Sequence, residues 1–582
     1  MLLHLQFRCL IPIALACASY VAAHGDEESH DMPMPAMVSS SSPSSHQTPV
    51  PHVMHHMHGV PILQTNLQPL EKQFWDAYNA TSYLSVETGN KSAFFTYLAT
   101  MGLAFVFATP LIMVMKNVQG VTPGYVTALV ANTAVVLVGL FNYKLFMSSV
   151  PDLYPGNIFG VFNGIYFVTM IAQCIVAVIA AVHARRTAGA SYESIDSDVD
   201  SLSSPSPTLY DLSRNQSPSS FELDSYPVNS EPHHDLEAND LTVHLNLLKK
   251  RPFPALFAKL NDNPWVVRSG AAATTANSVL AWFNFLFFLV YVPTAIAVFG
   301  CFGQGNKVFN LLAHFIKGGV FFILGLVTIA RYCGAWSHKG WAWNHKLVRE
   351  RDLRSRWVRL SPKGLITMEW IESFLVFFYG STNVFLEHLA NPGGEWSAKD
   401  LEHASIAFIF IGCGLCGLIT EAKLSNWRHQ YANFDDNKTV IKASPGFSPN
   451  PFPILCIFWT GTLMSQHQQA SELSTAIHAQ WGSLLAYGTF FRFVTYVMTM
   501  VLPRPRDLSK PTQPITEIIA GFCLLAGGVI FMESCDPVIL ALEWRGYGAM
   551  FTLNVCLGLV FLLMAWIMSV FQFKTWLQRR AH

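Results

Sequence analysis

Apolar residues arrive in eleven blocks of 18 to 28 residues, and no other feature constrains this chain as tightly. A helix needs about 20 predominantly apolar residues to cross the roughly 30 Å hydrocarbon layer. The blocks are roughly 94–116, 124–147, 158–184, 272–299, 308–332, 366–390, 401–424, 451–468, 476–501, 514–535 and 546–572. In lipid every backbone polar group must be paired within the protein, so such blocks fold as helices. The expected fold is therefore all-α: a polytopic membrane protein with about 11 transmembrane helices. Only 13% of residues are charged, against roughly 25% in soluble domains, which excludes a soluble multi-domain enzyme. Lys+Arg and Asp+Glu are 37 each. With no basic excess to neutralise phosphates, nucleic acid is excluded as a partner, and the lipid bilayer is the first partner implied.

Residues 1–23 read as a cleaved signal peptide. Arg8 supplies the positive region, Leu10 to Ala22 is apolar but too short to span, and Val21 and Ala23 are the small residues before the cut. The mature chain then begins at His24 on the lumenal or extracellular side, in a membrane of the secretory pathway. Positive charge tests that order. With the mature N-terminus outside, the cytosolic segments hold 28 Lys/Arg and the lumenal ones five, with eight of the 28 between Arg331 and Arg359. An odd number of spans places the C-terminus in the cytosol. The sequons at Asn79 and Asn90 fall on the glycosylating side.

Composition divides the chain further. Residues 24–92 form a lumenal His/Met-rich tail and 93–186 a three-helix membrane unit. Residues 187–268 read as a disordered, acidic, Ser-rich cytosolic linker and 269–582 as an eight-helix unit. The linker is the place where cytosolic partners would dock. Cys301 and Cys535, at lumenal helix ends, are the two cysteines placed for a bridge. Cys413-x-x-Cys416 lies inside a span beside Gly412, Gly414 and Gly417 and reads as small-residue helix packing.

Two groups of residues carry chemistry. The tail concentrates His52, Met54, His55, His56, Met57 and His58, and imidazole with thioether suits copper. The second group stands at the lumenal ends of four spans: His388, His403, His467 and His478, accompanied by Glu387, Glu402, Glu472 and Glu533. Histidines with carboxylates form a sensible set for copper or zinc, or else a hydrogen-bonded network that fixes helix ends. Glu372, Val376, Gly380, Asn383 and Glu387 recur at helical spacing, giving either an ion or proton path or interhelical hydrogen bonds. Asn310, His314 and Lys317 share another face, where His314 reads as a packing residue rather than an axial haem ligand.

Particular motifs carry a resemblance. They include His-Phe-Ile-Lys-Gly-Gly from His314, Gly-Trp-Ala-Trp-Asn from Gly340 and the long Leu-Glu-His-Leu-Ala-Asn-Pro-Gly-Gly block from Leu386. Ser-Gln-His-Gln-Gln from Ser465 and Ala-Gly-Gly-Val-Ile-Phe-Met-Glu-Ser from Ala526 complete the set. Over about 300 residues the C-terminal unit resembles the fungal Ytp-type transmembrane proteins, which implies fold and topology rather than an activity. The N-terminal unit is similar to the domain that precedes it in fungi, itself similar to two-haem transmembrane cytochromes b. That resemblance implies axial histidines, yet Tyr97 stands at the first-span position and Ile158 and Phe159 follow Leu153-Tyr154-Pro155-Gly156-Asn157. The leading expectation is binding, transport or sensing of copper or zinc. The alternatives are haem-dependent electron transfer and a non-catalytic scaffold, and none of these readings names a catalytic residue.

Overall fold

A computed structural model describes residues 49–52, 59–201, 264–386, 398–432, 440–466, 468–502 and 507–581. Within them, the side chains of 187–201, 264–268, 357, 383–386, 398–400, 402–403 and 581 are not described. The signal peptide and most of the linker lie outside the described residues.

The helices are α1 (Pro69–Asp76), α2 (Lys91–Gln119), α3 (Pro123–Met147), α4 (Phe159–Ser201), α5 (Pro264–Phe299) and α6 (Lys307–Tyr332). Strand β1 (Lys346–Arg349) and α7 (Arg356–Leu360) precede α8 (Met368–Leu386) and α9 (Ala398–Ala432). Strand β2 (Val440–Ser444) is followed by α10 (Phe452–Ser465), α11 (Glu472–Val501), α12 (Thr516–Glu533), α13 (Asp536–Arg545) and α14 (Ala549–Ala581). Nine helices among the described residues are long and apolar enough to cross a membrane. The 19-residue α8 and the 14-residue α10 occupy the other two expected positions. The chain is thus a polytopic, all-α membrane protein. Its one sheet among the described residues pairs β1 antiparallel with β2, Leu347 opposite Ala443.

The helices do not pack as a three and an eight. α5 joins the first three, and its Tyr291, Val298 and Phe299 share one buried cluster with Phe94, Tyr97, Phe105, Phe146, Phe159 and Tyr166. The physical reason is aromatic complementarity: Phe299 meets Phe94 edge-on at 5.1 Å and Phe159 at 5.3 Å between ring centroids. Helix α4 also runs on to Ser201 and α5 begins at Pro264, so both ends of the expected linker are helical. The other five long helices, with α8 and α10, form a second group. It meets the first where Trp566 of α14 donates its indole N–H to the Val106 carbonyl at 2.8 Å. That carbonyl lies in a π-helical stretch of α2, Gly102–Ala108, where the widened turn leaves carbonyls to be paired from outside.

Lipid gives helices no hydrophobic reason to associate, so small residues decide how closely they approach. A Cβ at Gly318 of α6 would stand 2.6 Å from the Gly528 carbonyl oxygen of α12, and one at Gly461 of α10 2.5 Å from that of Gly482 in α11. Gly414 and Gly417 of α9 likewise face α8, against Phe377 and Ser373. This is the packing expected around Cys413 and Cys416.

The expected tail is partly a folded cap. Ile62 and Trp75 are buried against Leu540, with Leu67, Phe74, Tyr78 and Trp544 around them. Five apolar side chains of a nominal tail thus find their burial on α13. The Trp75 indole donates to the Pro51 carbonyl at 2.9 Å. This defines a cap end of the protein, opposite the sheet end where β1 and β2 lie. Cys301 and Cys535 are free thiols rather than a bridge, and burial pushes both up, Cys535 to about 12.

Gly528→Val should separate α6 from α12. The expected loss is about 1–3 kcal/mol, the range for overpacking, read as a lower thermal midpoint in detergent. Gly558→Val, at a glycine with open space around it, should leave the midpoint unchanged.

Candidate functional site

At the cap end, His478 of α11 is buried, and its Nδ1 lies 2.7 Å from the Ser474 carbonyl oxygen. His314 of α6 has its Nδ1 2.9 Å from the Asn310 carbonyl oxygen. A carbonyl only accepts, so in each neutral ring Nδ1 carries the proton and Nε2 the lone pair. The two rings meet edge to face with centroids 6.0 Å apart. Phe531 packs beside them: it lies 5.7 Å from His314 and stacks on Trp481 at 3.9 Å. Asn310 also holds α13 in place by accepting from the Asp536 N–H at 2.9 Å.

The other expected ligands are distributed unevenly. His388, His467 and Glu387 lie outside the described residues, as do Met54, His55, His56, Met57 and His58. Glu402 and His403 belong to α9, but their side chains are not described. Glu472 is exposed at the start of α11. Glu533 faces α14, where it accepts from the Cys556 thiol at 3.3 Å. His52 is taken by the cap: its Nε2 is 3.1 Å from Glu543 and its ring meets Trp75 edge-on. Among the described residues, no group of three or more His, Cys, Asp or Glu is placed to hold a metal ion. Both sequon asparagines are exposed, Asn79 in a turn to the Thr81 N–H and Asn90 as the N-cap of α2.

Near the sheet end the second helix group buries charge that the sequence reading did not assemble. Arg492 of α11 reaches Glu517 of α12 at 2.9 Å and Glu372 of α8 at 3.3 Å. Arg331, the penultimate residue of α6, lies 3.9 Å from Glu372 and 3.8 Å from Glu369. Tyr496 donates to Glu369 at 3.3 Å, and Arg492 donates to Thr328 at 3.1 Å. Trp343 covers both guanidiniums at 4.5 and 5.5 Å. It does so with φ +56°, a left-handed conformation that costs a bulky residue roughly 1–3 kcal/mol.

A second buried pair lies beside this cluster. Arg428 donates to Glu421 at 2.8 Å, to Ser448 and to the carbonyls of Gly364 and Leu365. Glu421 also accepts from Thr367 and Asn450. The expected stripe on α8 therefore divides. Glu372 joins the charge cluster, while Gly380 serves close packing, since a Cβ there would stand 2.7 Å from that of Phe410.

The first helix group places a pair of tyrosines where the resemblance implies a haem ligand. Where the resemblance implies an axial histidine, the Tyr97 hydroxyl lies 2.5 Å from that of Tyr291, which donates to Asn163 at 2.7 Å. Tyr143, Phe159 and Phe299 fill the space around them. The axial histidine that the resemblance implies is thus replaced by a hydrogen-bonded tyrosine pair packed among aromatic rings.

Sequence reasoning missed His314 as the neighbour of His478, and missed Arg331, Glu369 and Glu517. Arg492 was the available signal: a guanidinium inside a span requires carboxylates on neighbouring helices.

Arg428→Ala would strand the Glu421 carboxylate. The expected loss is about 3–5 kcal/mol, the range for breaking a buried pair, read as a large drop in folded yield and thermal midpoint. Exposed Arg351→Ala should change neither.

Comparison with known proteins is consistent along the chain. The family described as "Protein YTP1-like, C-terminal" matches residues 287–575, and a "Domain of unknown function (DUF2427)" matches 77–183. A Saccharomyces cerevisiae protein described as "Uncharacterized membrane protein YCR061W" is 38% identical over 573 residues, covering 91% of this chain and 90% of that protein. The Schizosaccharomyces pombe "Uncharacterized membrane protein C3B8.06" is 38% identical over 45% of this chain and 51% of its own length. "Protein YTP1" of S. cerevisiae is 25% identical over 38% of this chain and 42% of its own length. No solved structure matches the chain.

Proposed function

Because the chain belongs to the YTP1-like family of membrane proteins, we propose that it works within the bilayer by binding one transition-metal ion, copper or zinc, at its cap end, for transport or sensing. The observation that carries this reading is the pair His314 and His478. Each imidazole has its Nδ1–H fixed by a backbone carbonyl, the arrangement that orients metal-bound histidines and presents Nε2 as a ligand. Two rings sharing one ion at about 2.0–2.1 Å per nitrogen have centroids about 5–6 Å apart, and the observed separation is 6.0 Å.

Two imidazoles alone hold such an ion weakly, since zinc takes four ligands. His388, His403 and His467 stand at the ends of neighbouring spans in the sequence, with Glu387 and Glu402 beside two of them, and supply the remaining donors. The excess of Lys/Arg in the segments at the sheet end supports a lumenal or extracellular cap end. The His/Met run at 54–58 then lies on the same side, between His52 and Ile62, which are both anchored on or near α13. There it would capture the ion and raise its local concentration.

The test is metal content by mass spectrometry on detergent-purified full chain, with the tail histidines and methionines other than His52 replaced by serine. About one copper or zinc per chain is expected, falling at least tenfold in His314→Ala/His478→Ala. Metal content unchanged by the double substitution, or absent throughout, contradicts the reading.

A further inference from the structure

The charge cluster near the sheet end does not balance. Arg331 and Arg492 bring two positive charges, and Glu369, Glu372 and Glu517 would bring three negative ones. Both arginines, Glu369 and Glu517 are buried, and Glu372 keeps only 10% of its side chain exposed. The neighbouring titratable groups do not correct the sum. Glu421 and Arg428 of α9 pair with each other, and Tyr496 contributes a neutral hydroxyl. The remaining contacts, Thr328 and Trp343, carry no charge. An uncompensated carboxylate at this depth costs several kcal/mol or more.

We propose that this cluster is a proton-binding site that keeps one carboxyl protonated at neutral pH, and that Glu369 carries the proton. Geometry selects Glu369. Glu517 has a guanidinium nitrogen at 2.9 Å, and Glu372 is shared by both arginines at 3.3 and 3.9 Å. Glu369 has one guanidinium near it, Arg331 at 3.8 Å; its Oε1 accepts from the Tyr496 hydroxyl at 3.3 Å, and its Oε2 is buried with no hydrogen-bond partner. A sodium-like ion would need a shell of oxygen ligands, whereas Glu369 faces a guanidinium and a phenol, which are donors.

The balance is simple: the Glu369 carboxylate takes one proton from water, becomes the neutral acid and returns it when the pH rises. Protein donors and acceptors do not satisfy the cluster: both terminal nitrogens of Arg331, Arg492 Nε, Glu369 Oε2 and both Glu517 carboxyl oxygens lack hydrogen-bond partners. Arg331 leads toward the sheet end by donating from Nε to the Trp341 carbonyl at 2.7 Å, in the loop that precedes β1.

The test is infrared spectroscopy of the full chain in lipid nanodiscs, titrated in H₂O and D₂O. A protonated-carboxyl stretching band is expected at neutral pH, shifted by deuteration and lost at alkaline pH. It should be absent in Glu369→Gln and present in Glu533→Gln, which changes a half-buried carboxyl outside the cluster. Glu369→Gln replaces a neutral acid by a neutral amide of the same shape and should keep the wild-type thermal midpoint, while Glu517→Gln should lower it. No carboxylic-acid band in the wild type, a band that survives Glu369→Gln, or a Glu369→Gln protein as destabilised as Glu517→Gln would each overturn the proposal. None of these readings involves a metal, so they stand or fall apart from the cap-end site.

Discussion

The second helix group is organised around charges that have nowhere else to go. Arg331 comes from α6, Glu369 and Glu372 from α8, Arg492 from α11 and Glu517 from α12. Moving any one of these helices strands an ion in a low-dielectric interior, at an effective cost of several kcal/mol. Between lipid-facing helices, dispersion and close backbone approach supply most of the attraction but discriminate poorly between one rotation and another. The ion cluster supplies that discrimination. Thr495 and Thr516 hydroxyls 2.6 Å apart and the Thr328 hydroxyl add polar contacts around it, and Trp343 stacks over both guanidiniums. The Glu421–Arg428 pair does the same for the contact of α8 with α9.

Helix α11 joins the two ends of the molecule. Its buried face runs His478, Trp481, Leu485, Thr489, Arg492 and Tyr496, one residue every three or four. The histidine pair and the charge cluster therefore share a helix face, 14 residues or about 21 Å apart at 1.5 Å per residue. Between them lie Trp481, stacked on Phe531, and Leu485, packed against Gly527. Polar chemistry is confined to the two ends, and the middle of the helix is sealed by an aromatic and an aliphatic side chain.

Much of the fold was legible because lipid imposes a length on every crossing segment. Eleven apolar blocks became eleven helices, with α10 shorter than its block of 451–468. Which helices would be neighbours was not legible. A lipid-facing phenylalanine and a buried one have the same composition, so nothing in the sequence joined Tyr291 and Phe299 to the first group. Arg331 and Arg428 were counted among solvated loop charges, since a tally by side of the membrane cannot tell a hydrated guanidinium from a buried one. Apolar residues in the His/Met-rich tail were overlooked for a similar reason: a low-complexity composition masked Ile62, Trp75 and Tyr78, which pack as a cap. Of the candidate site, His478 was named from its place at a span end. His314 was read as packing, and its closeness to His478 depends on how α6 and α11 meet.

The proposed metal function rests on the fixed imidazoles of His314 and His478 taking the same ion. X-ray absorption at the metal edge, on protein whose tail histidines and methionines other than His52 have been replaced by serine, reads that coordination. Copper or zinc is expected, with imidazole outer-shell scattering from at least two rings, reduced in His314→Ala and in His478→Ala alike. A spectrum with water or carboxylate oxygens alone, or one indifferent to both substitutions, would contradict it.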